Sequence, residues 1–339
     1  MSYTLPPVPT TTVQYTPVTF ETPFSLTGCT LTDGRGLLVW CNGLNVRFAV
    51  TTTPASWLAD SVVTAASTAV TVTDHLSSAS CFMAGGYPHI VVSWVTPTVG
   101  YVRVYKGNDG ANPTSWSLHG TVQSYADNRS DGAHPTYEEA QRVAGIPYIN
   151  GSTWTLGTAV WGGGGAVNTY WTHGAVCQST DAGASWSTKI NLTYGTAGRF
   201  TDFISPHVGL DPASGYLYWM AGSTTSGSGT NTSQWCKSID GGTTWGVDQD
   251  VGPGNYLAPY TGYRGYLYGL DSGTATHKLN DPDGNFFART SISSHLSVPL
   301  NAHLCNGAET LYLFSNTTVQ WALPPAVVMR PVVGFVGWR

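Results

Sequence analysis

The sequence predicts an all-β chain folded as a six-bladed β-propeller with four-stranded antiparallel blades. Three observations predict it. First, an eight-residue string is written twice, 59 positions apart: Ser179-Thr180-Asp181-Ala182-Gly183-Ala184-Ser185-Trp186 and Ser238-Ile239-Asp240-Gly241-Gly242-Thr243-Thr244-Trp245. Self-similarity at such a period marks a repeat architecture. Second, six short apolar strands each follow a turn signal. Third, 40 Gly, 20 Pro, 13 Trp and 18 Tyr suit a chain of many short strands and turns. No stretch carries a sustained helical period.

The six strands are Leu37–Trp40, Ile90–Trp94, Thr158–Trp161, Tyr216–Trp219, Tyr266–Tyr268 and Leu311–Phe314. All are rich in β-branched and aromatic residues. Their turn signals are Asp33-Gly34, Gly85-Gly86, Asn150-Gly151, Ser214-Gly215, Arg264-Gly265 and Asn306-Gly307. A return strand is expected to open at Trp57, Trp116, Trp186, Trp245 and, with Phe for Trp, Phe286. These five aromatics should be mostly buried at equivalent places. Asn108-Asp109-Gly110 and Asp281-Pro282-Asp283-Gly284 look like worn copies of the repeated turn. One long insertion, between Gln123 and Gln141, interrupts the period.

Radial repetition lets one domain absorb the whole length. Residues 1–24 form an N-terminal segment for docking or ring closure, 25–325 the propeller, and 326–339 a C-terminal tail. The sixth blade lacks a fourth strand after Trp321. Either a strand around Val18–Phe24 or the tail Val332–Trp338 completes it, and the N-terminal strand is favoured.

Both copies of the turn read Ser-x-Asp-x-Gly-x-(Ser/Thr)-Trp. An Asp in a tight turn accepts bonds from backbone N–H groups ahead of it, and Gly takes the positive-φ corner. In this the sequence resembles the Asp-box, or BNR, repeats of sialidase-like β-propellers. The resemblance implies a structural role for Asp181 and Asp240. It also implies a comparison with sialidases, which use three Arg to clamp a carboxylate, a Tyr nucleophile with a Glu partner, an Asp acid and an early Arg-Ile-Pro. Gly145-Ile146-Pro147 is the nearest string here and has Gly where Arg is required. Arg129, Arg199 and Arg264 sit in no matching motif.

Charge is sparse, at 10% of residues with a net of −5, which argues against a nucleic-acid partner. No apolar run is long enough for a membrane span, so no membrane insertion is expected. Residues 1–24 lack the basic start and apolar core of a signal peptide. No CxxC or HxxxH spacing points to a metal, and no cofactor is expected. Cys29 and Cys41 flank the Asp33–Gly36 turn and are placed to face each other across a hairpin, a geometry open to a disulfide. Cys177 and Cys236 hold equivalent places and read as buried small hydrophobes.

Consecutive connections of a blade emerge on opposite faces. The repeated turns mark one face; the ligand face should be the other. There the loop Ser124–Gln141 gathers Arg129, Asp131, His134, Tyr137 and Glu138 against a background nearly empty of charge. Tyr170, Trp171, Arg199, Asp202, Tyr256 and Tyr260 join them on neighbouring loops. Aromatic faces beside Asp and Arg suit sugars, with rings stacking on C–H faces and polar groups bonding hydroxyls. No catalytic residue is assigned under this first reading. It is a glycan-binding, structural propeller of a phage virion, a tail or host-recognition component located in the virion or outside the cell. Its partners are a cell-surface glycan and other virion subunits. The alternative is a sialidase-like glycoside hydrolase acting on a surface polysaccharide, with Asp131 and Glu138 as the carboxylate pair.

Overall fold

The structure is a computed structural model. It describes residues 12–15, 24–51, 66–96, 99–126, 147–164, 169–196, 208–211, 214–225, 231–248, 258–263, 266–270, 275–280, 288–294, 303–306, 311–314 and 319–322. The described residues are all β, with no helix long and apolar enough to cross a membrane.

Strand β1 (Thr12–Tyr15) precedes five consecutive meanders. The first sheet is β2 (Phe24–Thr30), β3 (Gly36–Asn42), β4 (Asn45–Val50) and β5 (Ser67–Thr71). The second is β6 (His75–Ala84), β7 (Tyr87–Val95), β8 (Val99–Gly107) and β9 (Trp116–Ala126). The third is β10 (Tyr148–Asn150), β11 (Thr153–Gly164), β12 (Thr169–Ser179) and β13 (Ser187–Thr196). The fourth is β14 (Val208–Asp211), β15 (Tyr216–Thr225), β16 (Asn231–Ser238) and β17 (Gly246–Asp248). The fifth is β18 (Ala258–Tyr263), β19 (Tyr266–Leu270), β20 (Ala275–Asn280) and β21 (Ala288–Ser294). In the last, β22 (His303–Asn306), β23 (Leu311–Phe314) and β24 (Val319–Ala322) are joined by β1. The architecture is that of a β-propeller of four-stranded antiparallel sheets.

Each of the six apolar strands read from the sequence is the second strand of its sheet. It is hydrogen-bonded on both edges, and in β3, β7 and β15, where burial is described, it is covered on both faces, which explains the apolar runs there. Leu37, Leu38, Val39, Trp40 and Cys41 of β3 are all fully buried. So are Leu217, Tyr218 and Trp219 of β15. Truncating a buried Trp of this kind costs about 3–5 kcal/mol.

Consecutive sheets share cores. Leu37, Val39 and Phe48 of the first sheet pack with Cys81, Ile90, Val92 and Trp94 of the second. Phe82, Val91, Val102 and Val104 pack in turn with Trp154, Leu156 and Cys177 of the third. Val176 meets Val208, Leu217, Trp219 and Cys236 of the fourth. Further on, β14 lies against β18, β18 against β22, and β22 against β2 of the first sheet.

Three expectations change. The strand completing the last sheet is N-terminal, but it is Thr12–Tyr15, paired Thr12 to Ala322 and Tyr15 to Val319. Phe24 instead opens β2. Cys29 and Cys41 are free and buried. In the register Cys29 faces Leu37 and Cys41 faces Phe24, so the hairpin separates the thiols by its length. Cys41 is sealed so completely that burial pushes its thiol well above the usual range. Finally, Ser124–Ala126 of the long insertion extend β9. Trp57, Phe286, the tail and residues 127–146 lie outside the described residues.

Candidate functional site

The repeated turns join the third and fourth strands, at the end of the sheet that also carries the first hairpin: Ala182 N–H donates to Ser152 O at 2.8 Å. Asp181 accepts from Ser185 N–H at 2.8 Å and from Ser179 Oγ at 2.7 Å, and Ser185 Oγ bonds its other oxygen. Asp240 repeats the pattern with Thr244 and Ser238. Side-chain and backbone bonds from Ser185, then the bond from Ser179, pull the Asp181 carboxyl down to about 2. Thr244 and Ser238 do the same for Asp240, also about 2. Both carboxylates are committed to their turns.

The serine opening each turn is the buried hub. Ser179 and Ser238 are each 1% exposed, and their Oγ atoms accept the N–H of Gly183 and Gly242 at 2.8 Å. Gly183, at φ 91°, lies against the Trp154 ring, so a Cβ there would stand 2.3 Å from Trp154 Cζ3. The turn's Trp closes the device. Trp186 Nε1 donates to Gly183 O at 2.8 Å and Trp245 Nε1 to Gly242 O at 3.0 Å. These two rings are half-buried, as is Trp116, not mostly buried as expected. The tie from indole N–H to turn carbonyl holds each ring at the surface.

The second sheet's turn is a true variant. Trp116 follows Asp109 by seven positions where Trp186 follows Asp181 by five. Asp109 accepts from Ala111 and Asn112 N–H, and Asn108 accepts from Thr114 and Ser115 N–H. Two side chains thus share what one Asp does elsewhere. The longer turn also leaves Trp116 Nε1 buried without an acceptor among the described residues. Trp116 packs edge-to-face on Phe48 instead.

One carbonyl of each turn, that of the residue after the Asp, is held by the preceding sheet. Gly110 O accepts from Thr32 N–H at 3.1 Å, Ala182 O from His119 Nε2 at 2.8 Å, and Gly241 O from Gln178 Nε2 at 3.2 Å. Backbone, imidazole and amide donors fill one role. This end of the sheets is built for cohesion between neighbours.

Of the ligand residues expected from the sequence, Tyr170, Trp171 and Tyr260 are among the described residues. Arg129, Asp131, His134, Tyr137 and Glu138 lie outside the described residues, as do Arg199, Asp202 and Tyr256. Tyr170 and Trp171 fall on β12 at the end remote from its turn, Tyr170 opposite Gly163 and Trp171 opposite Gly162. Tyr260 falls on β18, opposite Tyr268. Tyr170 and Trp171 therefore share one strand end with Gly162 and Gly163 of β11.

A further group at this end escaped the sequence reading. Trp94 and Tyr101, facing each other across β7 and β8, stack with ring centroids 4.9 Å apart. The Arg103 guanidinium packs on both rings, 5.1 Å from the Trp94 centroid and 4.7 Å from that of Tyr101. Its signal was the alternation Tyr101-Val102-Arg103-Val104-Tyr105. That period-two pattern buries both valines against the third sheet and sends the other three side chains to the opposite face. Among the described residues no cluster of His, Cys, Asp or Glu is arranged to hold a metal ion.

No protein-family model matches the chain, and no curated protein matches it. Solved structures share its fold. An α-L-arabinofuranosidase from Fusarium graminearum, in complex with an iminosugar inhibitor, is 12% identical with a TM-score of 0.57, covering 91% of this chain and 95% of its own. An α-L-arabinanase from Penicillium chrysogenum, complexed with arabinobiose, is also 12% identical with a TM-score of 0.56, over 89% and 93%. A protein of unknown function from Dyadobacter fermentans is 11% identical with a TM-score of 0.60, over 93% and 98%.

Proposed function

We propose that this chain is a six-bladed propeller of the Asp-box kind that acts on carbohydrate, hydrolysing glycosidic bonds of a surface polysaccharide. The observation that carries the reading is the whole-length fold likeness to two arabinose-directed enzymes, one holding an iminosugar and the other arabinobiose. A fold hosts many chemistries, so the reaction is argued from side chains. Glycoside hydrolysis needs two carboxyl groups across the scissile bond, one as acid and one as base or nucleophile. Asp181 and Asp240 are excluded by their turn bonds. Asp131 and Glu138 are the pair assigned to the reaction. Arg129, His134, Tyr137, Tyr170, Trp171, Arg199, Asp202, Tyr256 and Tyr260 supply binding contacts.

A second reading is favoured by one observation. The carboxyls of Asp33, Asp109, Asp181 and Asp240, whose titration is displaced among the described residues, are all displaced downward. A general acid requires the opposite, so none of these four serves as one. Under this reading the propeller binds a cell-surface glycan without cleaving it, as a tail or recognition component of a phage particle beside other virion subunits. One experiment separates the two. A glycan-array screen is followed by a reducing-end assay on every hit, with wild type, Asp131→Asn and Glu138→Gln. Hydrolysis requires new reducing ends from wild type and at least a hundredfold less from either variant. Binding with no reducing ends selects the second reading, and no glycan captured at all overturns both.

A further inference from the structure

Arg103 stands where a charged side chain is expensive to keep. It is half-buried on β8, in a chain where only 10% of residues are charged. Its Nε is buried and meets no acceptor among the described residues, and no carboxylate pairs with it there. Removing a cation from water without a counter-charge is unfavourable. The two rings beside it offset part of that cost and fix the plane of the guanidinium. They leave its two terminal nitrogens, which are built to take two oxygens side by side.

Its place along the strand says what comes to it. The guanidinium leans from Arg103 toward Trp94 and Tyr101, which flank the hairpin joining β7 to β8 at the end opposite the repeated turns. Tyr101 is paired on its other side with Ser124, where the long insertion begins. The unpaired cation thus stands at the foot of the loop to which carbohydrate binding is assigned.

We infer that Arg103 is an anion subsite that takes the carboxylate of a uronic acid unit in a polysaccharide. The inference rests on the carbohydrate reading above and names its substrate class as acidic. A planar carboxylate meets the two terminal nitrogens of the guanidinium end-on, and the rigid stack of Trp94 and Tyr101 presents them without further ordering. A neutral sugar hydroxyl supplies one acceptor and no charge, so it fills the fork poorly.

The test measures binding by calorimetry for oligogalacturonate, oligomannuronate and hyaluronan oligosaccharides, each beside its methyl-esterified form, with neutral arabino-oligosaccharides as reference. Wild type should bind at least one acidic oligosaccharide tenfold or more tightly than its ester. Arg103→Gln should abolish that preference, and Arg103→Lys should keep part of it, with thermal unfolding followed for each variant. The comparison of acid with ester in wild type holds even where a variant folds poorly. Arabino-oligosaccharide binding without any preference for acid over ester overturns the subsite and leaves the carbohydrate reading standing. An acid preference that survives in folded Arg103→Gln also overturns it. Binding of no saccharide overturns both.

Discussion

His119 Nε2 lies 2.8 Å from the carbonyl oxygen of Ala182, joining the outer strand of the second sheet to the repeated turn of the third. A carbonyl only accepts, so Nε2 carries the proton and the imidazole is fixed in that tautomer. His119 also packs on Trp154 and His89, so one side chain bridges two sheets by a hydrogen bond and by ring contacts. His119→Ala should destabilise the fold by about 1–3 kcal/mol, combining a lost hydrogen bond with lost packing. His119→Gln should restore part of it, since Gln178 does the same work one sheet later. Urea unfolding of both variants is the check; equal losses would assign the effect to packing alone.

Ser179→Ala and Ser238→Ala each strip the buried N–H of a turn glycine of its acceptor. Each should cost about 1–3 kcal/mol, the penalty for a buried group left unsatisfied. Asp181→Ala and Asp240→Ala should also lower the thermal midpoint, while glycan binding survives in the folded fraction. A fully stable Asp variant that had lost binding would move these aspartates from structure to function.

Ala182 holds φ 57°, a left-handed conformation costly for a side chain, where the other copy has Gly241 at φ 71°. Ala182→Gly should therefore be neutral or stabilising by up to about 1 kcal/mol, and Gly241→Ala destabilising by about the same. Gly183→Ala is a different case, because its Cβ would enter the Trp154 ring. It should be the most damaging of the three by thermal unfolding.

Acid should weaken the fold in two windows. His89 is 2% exposed, stacked on Phe82 and edge-on to Trp154. Burial, with His119 and Lys106 nearby, pulls it down to about 4 from an ordinary 6.5, against a raising bond to Tyr87 O. The unfolded chain then binds more protons than the folded one between those values. Stability is intact above about 6.5 and falls as pH drops toward 4, by about 2–3 kcal/mol for this group. Asp181 and Asp240 hold stability above their unfolded range near 3.8 and lose it as pH falls toward 2. Urea midpoints across pH should show the first slope flattened in His89→Phe and the second unchanged.

Deleting residues 127–136 should weaken glycan binding tenfold or more while moving the thermal transition little. The long loop interrupts a regular period, and such loops in compact domains are usually functional or disordered. Unchanged affinity after the deletion would remove Arg129, Asp131 and His134 from the site.

The sequence by itself determined the second strand of every sheet and the two repeated turns. Both are local: a strand covered on both faces must be apolar throughout, and a turn hub needs Ser, Asp and Gly at fixed spacing. It placed Tyr170 and Trp171 in a loop away from the turns, where the structure has them on β12 itself. Only the tertiary structure decided what crosses between sheets. That Thr32, His119 and Gln178 serve one role is invisible in sequence, because three chemically different donors reach one backbone carbonyl. That Thr12–Tyr15 completes the last sheet depends on a pairing across the whole chain, for which a four-residue strand carries no local mark. Arg103 carries no local mark either, because the Trp94 ring beneath it belongs to the neighbouring strand. Local rules fix which residues turn and which are covered; the meeting of residues distant in sequence is fixed by packing alone.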